Sequence, residues 1–256
     1  MCSLRHDARD FFNGAAFISA ILYGCEGWLN VCVRDMEKIY NGAIKALLGV
    51  RITTANDLCL LEIGYPELRN YIRHRQATFL RNMINTRREM RDDPLMFAIE
   101  LTQRLNTRMG QYINTIIERD DFITSGISDL RSKVTLCDKT KFITYCSMNP
   151  ELAVHDMYTR RHNYVPEYLR IAMTRFRLSS HRLKIETGRW SRIPREQRLC
   201  QCGEVQDERH VLQWCPLVAD IRSRTNTSVE FPDFLINVRS ENDFSVVYYI
   251  LQRLEC

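Results

Sequence analysis

Apolar residues recur every three to four positions along most of this chain, which is the period of an amphipathic helix. The clearest run extends from Met36 to Leu47, and Gly49 stands where a C-terminal helix cap is expected. A short helix is predicted to begin at Asn56 and to end at Gly64. The pattern therefore predicts a mainly α-helical fold.

The same periodicity continues through the rest of the chain. Helical patterns cover residues 68–83, 96–117, 130–148 and 164–183, and the apolar tail at 231–254 predicts a final helix that closes over the preceding unit. Residues 119–126, which include Ser125 and Gly126, are predicted to form a connection. No internal repeat, low-complexity tract or glycine-rich phosphate loop interrupts these segments.

Composition supports a folded protein in a reducing compartment. The chain has 256 residues and 45% apolar content, enough to bury a core. Its ten cysteines form no evenly spaced disulfide framework. The apolar run at 15–23 superficially resembles a signal peptide, but Asp7, Asp10 and Asn13 precede it, and it is shorter than the roughly 20 residues of a membrane span. We expect an intracellular protein, nuclear or cytoplasmic, without a membrane partner.

A short cysteine and histidine array is the most specific chemical signal. Cys200, Cys202, His210 and Cys215 have the spacing Cys-x-Cys-x7-His-x4-Cys. Thiolate and imidazole are the usual ligands of a structural Zn²⁺ ion, which they surround as a closed tetrahedron. The alternative is four residues that lie close in sequence by chance, because the gap between the first two cysteines is shorter than usual.

The residues between these ligands also suit a zinc knuckle. Gly203 can adopt the positive φ that a tight turn needs, and Asp207 can cap a short helix that carries His210. His210 and Cys215 are five residues apart, about 140° around a helix, so Cys215 is expected just past the helix end. Pro216 then stops the helix.

Positive charge is concentrated beside this array. Residues 160–198 contain eleven Lys and Arg and three Glu, a net charge of +8 in a chain whose total is +5. Such clusters bind phosphate backbones by releasing counterions, and arginine adds bidentate geometry. A second arginine cluster occupies residues 69–91. The alternative for both clusters is a solvated helix face.

Several blocks of sequence resemble the carboxy-terminal part of non-LTR (LINE-type) retrotransposon reverse transcriptases. Residues 21–28 (ILYGCEGW), 48–50 (LGV) and 53–64 (TTANDLCLLEIG) resemble the segment that follows the polymerase palm. The blocks that resemble the family's zinc-knuckle region are 178–183 (LSSHRL), 186–190 (ETGRW), 193–194 (IP), 198–202 (RLCQC), 207–211 (DERHV) and 215–216 (CP). Together they cover nearly the whole chain in the family's order.

The resemblance implies an architecture of three parts. Residues 1–92 would be a palm remnant with a thumb-like helical bundle, and 93–165 a helical linker. Residues 166–256 would hold the basic helix, the CCHC zinc knuckle and the closing helix. The implied ligand is nucleic acid, either template RNA or target DNA. The residues expected to contact phosphates are Arg175, Arg177, His181, Arg182, Lys184, Arg189, Arg192, Arg195 and Arg198. Trp190 would stack on a base or ribose, or else pack in the core.

The catalytic residues of that family are missing. Its polymerase uses paired aspartates in an aromatic-x-Asp-Asp turn to hold two Mg²⁺ ions. Asp92-Asp93 and Asp120-Asp121 follow arginines and have no matching aromatic residue, so we interpret them as helix-end or loop residues. No nuclease motif follows Cys215. We therefore expect no enzymatic activity from this chain alone.

Three other hypotheses stay open at this stage. The knuckle could be a structural staple in a protein-interaction scaffold, with the basic helix binding an acidic protein surface. The chain could complete an RNA-directed DNA polymerase whose palm is on a separate chain. It could also be a decayed genomic copy.

Overall fold

The structure is a computed structural model that describes residues 16–28, 33–87, 93–158, 165–225 and 227–255. Several sequence-based predictions lie outside these residues: those on the signal-like start before residue 16, on Asp92, on Arg88 and Arg91, and on residues 159–164.

The described residues confirm a mainly α fold. They contain fourteen α-helices and no β-strand, with one isolated antiparallel bridge between Leu199 and Val205. The helices are α1 Ala16–Ile21, α2 Arg34–Leu48, α3 Asn56–Ile63, α4 Leu68–Arg87, α5 Pro94–Arg104, α6 Arg108–Ile117, α7 Phe122–Thr135, α8 Thr140–Met148, α9 Glu167–Arg177, α10 Lys184–Trp190, α11 Glu208–Gln213, α12 Ala219–Arg222, α13 Asp233–Asn237 and α14 Glu241–Leu254. None of them has the length and apolar character that crossing a membrane requires.

Glycines end the first two predicted helices as expected. Gly49 follows α2 with φ +66°, and Gly64 caps α3 with φ +72°. Gly64 N–H donates to carbonyl oxygens of the last turn, including Leu60 O. A left-handed residue at this position satisfies carbonyls that the helix leaves unpaired, and glycine adopts it without steric cost.

The predicted connection at 119–126 is wrong in its second half. Ser125 and Gly126 lie inside α7, which begins at Phe122. A Cβ atom on Gly126 would come within 2.2 Å of the Asn70 side-chain nitrogen. The glycine therefore permits close packing between helices and does not mark a turn.

Three of the longer helical patterns are divided or shortened. The pattern at 96–117 forms α5 and α6, separated near Asn106, whose φ is +48°. The pattern at 130–148 forms the end of α7 and then α8, and the helix expected over 164–183 covers only α9. In the tail, α13 precedes α14, which begins at a capping box between Ser240 and Asp243.

By compactness the chain divides into two units. The first comprises residues 1–41 and 65–130, and the second comprises 42–64 and 131–256. Ala77, Ile116 and Phe122 form a buried cluster in the first unit. The predicted three-part division, with boundaries at 92/93 and 165/166, stays a prediction.

The second unit is built around the contact between α9 and α14. Phe176 of α9 and Ile250 of α14 are fully buried in one apolar core, together with Val211 of α11. The closing helix predicted in the tail therefore packs as expected. This core supports both the cysteine and histidine array and the basic segment.

Candidate metal centre and basic surface

A tight turn holds the first two cysteines of the array. Cys200 N–H donates to Glu204 O at 2.7 Å, and Gly203 N–H donates to Cys200 O at 3.0 Å. Gly203 has φ +98°, which confirms the turn predicted from its position. Cys200 begins this turn, and Cys202 lies within it.

Helix α11 supplies the histidine. Asp207 caps the helix, since its Oδ1 accepts from His210 N–H at 2.9 Å. The His210 carbonyl accepts from the N–H groups of Trp214 and Cys215, each at 2.9 Å. Cys215 therefore lies just past the helix end, as the sequence predicted, and Pro216 begins the next turn.

The four side chains converge on one point. Their ligand atoms all lie within 4.8 Å of one another, so the cluster could hold a metal ion. Cys215 Sγ lies 3.7 Å from Cys200 Sγ and 4.0 Å from Cys202 Sγ. Cys202 Sγ lies 3.1 Å from His210 Nε2. These sulfur separations are far longer than the roughly 2.05 Å of a disulfide, so the thiols are free.

Burial and hydrogen bonding shape the donors. Burial raises the pKa of the Cys200 thiol, but hydrogen bonds from Cys202, Cys215 and Gln206 outweigh it and lower that pKa. Burial raises the pKa of Cys215 to about 12 and lowers the pKa of His210. A lowered pKa favours the neutral imidazole, the form that binds metal.

Gln206 links this cluster to the basic segment. Its side-chain oxygen accepts from Lys184 N–H at 2.6 Å, and its Nε2 lies 3.8 Å from Cys200 Sγ. Its backbone donates to Arg198 O at 2.9 Å and accepts from Ile185 N–H at 3.2 Å. The start of α10 is therefore bonded to a residue that itself contacts the cluster.

Two of the predicted phosphate contacts are corrected by their burial. Arg177 is 1% exposed and His181 is fully buried. Arg177 pairs with Glu62, and His181 Nε2 lies 3.0 Å from Glu208 Oε1. Neither side chain reaches solvent, so both have internal roles and neither contacts phosphate.

Three other predicted cations have protein partners. Arg189 pairs with Glu186 at 2.9 Å, and Arg195 pairs with Asp207 at 2.7 Å. Arg198 donates to two backbone carbonyls at 2.8 and 2.9 Å. Ion pairs therefore partly neutralise the charges of Arg189 and Arg195, and hydrogen bonds to the backbone occupy the guanidinium of Arg198.

The remaining four predicted cations are exposed, and their side-chain charges have no acidic partner among the described residues, although the Arg182 backbone N–H donates to Glu255 Oε1 at 2.6 Å. Within the described part of the chain, no carboxylate lies within 4.0 Å of the charged groups of these residues, which are Arg175, Arg182, Lys184 and Arg192. Arg175 donates to Gly49 O at 2.7 Å. We call these four residues the open cations.

Trp190 lies at the surface rather than in the core. It is 56% exposed, and the Arg51 guanidinium lies 4.3 Å above its ring centre. Burial lowers the pKa of Arg51, and the charges of Arg182 and Arg175 lower it further. The charges of Glu255 and Glu186 raise that pKa but do not outweigh the lowering effects. Arg51 is therefore close to two open cations. No local pattern marks Arg51 as a site residue, because its contact with Trp190 forms only in the folded chain.

A second arginine and tryptophan pair lies within the array itself. The Arg209 guanidinium is 5.0 Å from the ring centre of Trp214, which is 58% exposed. These two residues precede the ligands His210 and Cys215 directly. Their position directly before two ligands could have identified them from the sequence, but the sequence-based prediction of site residues does not include them.

The arginines of residues 69–91 mostly bond within the first unit. Arg69 pairs with Glu37 at 2.6 Å, and Arg87 pairs with Asp93 at 2.8 Å. Arg75 and Arg81 each donate to a backbone carbonyl. This cluster fits a helix face with internal partners, and we leave it out of the candidate site.

Three of the four paired aspartates, Asp93, Asp120 and Asp121, are described and have partners in the fold. Asp93 caps α5 by accepting from the N–H groups of Leu95 and Met96. Asp120 pairs with Arg81, and Asp121 pairs with Arg119 at 3.3 Å. They are helix-end and loop residues, as the sequence indicated.

No protein-family profile, curated protein or solved structure matches this chain. The interpretation of the site therefore depends on its own geometry and chemistry.

Proposed function

We propose that this chain binds nucleic acid through the open cations and that one zinc ion, held by Cys200, Cys202, His210 and Cys215, fixes the fold that presents them. The observation that carries the proposal is a set of four exposed cations, whose side-chain charges form no ion pair within the described residues, beside a metal-competent cluster. Phosphates are the counterparts that such unneutralised charge favours, because binding releases condensed counterions.

The donor chemistry supports zinc. A Zn–S bond of about 2.3 Å gives a sulfur to sulfur edge of about 3.8 Å in a tetrahedron. The separations of 3.7 and 4.0 Å between the thiols are close to this edge. Three thiols and one imidazole complete four-coordination, so no position stays open for water or substrate. The proposed ion therefore has a structural role.

Gln206 connects the two parts of the proposal. It contacts Cys200 Sγ with one end of its amide and Lys184 N–H with the other. Loss of the ion would release the turn that carries Cys200, and with it the start of α10. Metal binding and folding are coupled in small sites of this kind.

The proposal agrees with the resemblance to the carboxy-terminal region of LINE-type reverse transcriptases. On that basis the ligand would be template RNA or target DNA, and the chain would bind without polymerising. A palm-bearing polymerase chain is the implied partner for catalysis. An intracellular location, nuclear or cytoplasmic, accords with the free thiols.

Two variants separate the role of the metal from the role of the charges. Cys202→Ser is expected to lose zinc and to weaken nucleic-acid binding. The triple variant Arg182→Ala, Lys184→Ala, Arg192→Ala is expected to retain one zinc per chain and still bind weakly. Zinc is measured by elemental mass spectrometry, and binding by fluorescence anisotropy with a labelled oligonucleotide.

Two results would contradict the proposal. Equal zinc loss in both variants would refute the separation of roles. Wild-type protein that holds zinc but shows no salt-dependent binding would favour a protein-interaction scaffold in which the ion is a staple.

A further inference from the structure

We infer that Trp214 and Arg209 form a stacking subsite for an unpaired base, so that the ligand of this chain is single-stranded nucleic acid. The inference rests on the proposed function and deepens it, because the open cations alone do not distinguish a single strand from a duplex. The subsite lies next to the metal cluster and is separate from the open cations and Trp190.

The Trp214 side chain is largely exposed beside Arg209. Arg209 lies over it at 5.0 Å, yet the residue stays 58% exposed. An exposed indole costs free energy in water, and stacking on a nucleobase covers it.

Arg209 is held in place without being neutralised. Its Nε donates to Gln213 Oε1 at 3.2 Å, within the same helix. Among the described carboxylates none lies within ion-pair distance of its guanidinium. The charge is therefore free to attract a phosphate that adjoins a stacked base.

The backbone of this subsite is fixed by two of the cluster's ligands. Trp214 N–H donates to His210 O at 2.9 Å, and the next residue is Cys215. Arg209 directly precedes His210. The metal cluster therefore positions both members of the stack, which gives the ion a role in recognition as well as in folding.

The chemistry of the stack selects the strand type. Bases inside a duplex are stacked on both neighbours and do not present a face to a surface ring, whereas bases in a single strand do. Arginine beside the ring disfavours a cationic peptide at this position. An unpaired base can stack on the indole while its phosphate pairs with the guanidinium.

The test compares Trp214→Leu with Trp214→Phe in the full chain loaded with zinc. The probes are a ten-nucleotide oligothymidine, an oligouridine of the same length and a blunt-ended DNA hairpin whose stem is closed by a polyethylene-glycol linker, so that it has no unpaired base. Stacking is worth about 1–3 kcal/mol per base, so Trp214→Leu should weaken single-strand binding about 5- to 150-fold. Hairpin affinity should change less than about twofold, and Trp214→Phe should retain most single-strand affinity because it keeps an aromatic face.

Zinc content, measured on each variant, shows whether the knuckle is intact. Unchanged single-strand affinity in zinc-loaded Trp214→Leu would overturn the stacking subsite and leave the proposed function standing. Equal weakening toward the strand and the hairpin would also overturn it, because that result indicates a general loss of binding surface. A wild-type chain that binds none of the three probes would overturn both proposals together.

Discussion

Glu62 and Arg177 form an ion pair that is closed to solvent. Arg177 Nε and Nη2 donate to the Glu62 carboxylate at 2.6 and 3.2 Å, and the two residues are 115 positions apart in the chain. Their exposures are 0% and 1%. Tyr145 and Tyr158 also donate to this carboxylate, at 2.9 and 3.3 Å. Burial lowers the pKa of Arg177, but Glu62 outweighs it and raises that pKa, so the arginine stays charged inside the unit.

Removal of either member of this pair should destabilise the protein strongly. Glu62→Leu or Arg177→Leu leaves an uncompensated buried charge, at a cost of about 3–5 kcal/mol in the free energy of unfolding. The double variant should lose less than the sum of the two single variants, because it leaves no lone charge. Urea unfolding followed by circular dichroism measures these values. A loss below about 1 kcal/mol in Arg177→Leu, with weaker nucleic-acid binding, would place Arg177 at the surface instead.

Gln206→Ala should reduce both stability and binding while one zinc stays bound. The change removes the acceptor of Lys184 N–H and a contact to Cys200 Sγ, and an unpaired buried backbone group costs about 1–3 kcal/mol. Gln197→Ala is the matched control, because Gln197 is an exposed glutamine of the same segment. Wild-type affinity in Gln206→Ala would show that the basic segment does not depend on this link.

Protonation of Asp243 should lower the stability of the protein at acidic pH. Burial raises the pKa of this carboxyl, but hydrogen bonds from Thr225, Ser240 and Thr227 outweigh it and lower the pKa. Because the folded-state pKa is lowered, the stabilisation is complete above the unfolded pKa of about 4 and is lost as pH falls through the folded-state value.

Asp243→Asn tests this dependence directly. It should cost about 1–2 kcal/mol at pH 7, since it weakens a capping box and two side-chain hydrogen bonds. The difference from wild type should narrow as pH falls below the unfolded pKa of about 4 and through the lowered folded-state pKa, where protonation makes the native carboxyl resemble the amide. Urea unfolding at each pH measures the free energy of unfolding of both proteins. A difference between them that grows as the pH falls would contradict the predicted direction of the pH dependence.

Removal of three open cations should flatten the salt dependence of binding. For single strands each phosphate contact contributes about 0.7 to the slope of log affinity against log salt. Arg182→Ala, Lys184→Ala, Arg192→Ala should therefore reduce that slope by about 2. The matched control removes Arg104, Arg108 and Arg131, which carry the same charge and are also exposed. Equal flattening in both variants would mean that the effect reflects net charge and not the proposed interface.

Local signals in the sequence predicted the elements that local chemistry determines. Gly49 and Gly64 end helices, Gly203 makes the turn, and Asp207 caps the helix of His210. Each depends on residues within a few positions, so a sequence pattern contains the information. The four metal-competent side chains converge for the same reason.

Contacts between distant segments determined what the sequence could not predict. Arg177 lies about 200° around the helix from exposed Arg175, and its buried partner Glu62 comes from another helix, 115 positions away in the chain. Arg51 reaches Trp190 only through the fold. Gly126 suggests a turn in the sequence, but in the fold the Asn70 side chain occupies the space where a Cβ atom on Gly126 would lie. Periodicity assigns a residue to a face of its helix, but it does not say what lies opposite that face.

The most direct test of the account is single-strand affinity across a salt series for the wild-type chain, with zinc bound and after its removal by a chelator. We predict one zinc per chain, affinity that falls steeply as salt rises, and loss of that affinity in the stripped protein with recovery when zinc is returned. A stripped chain that binds as tightly as the loaded one, or a loaded chain whose binding is weak and insensitive to salt, would contradict the account.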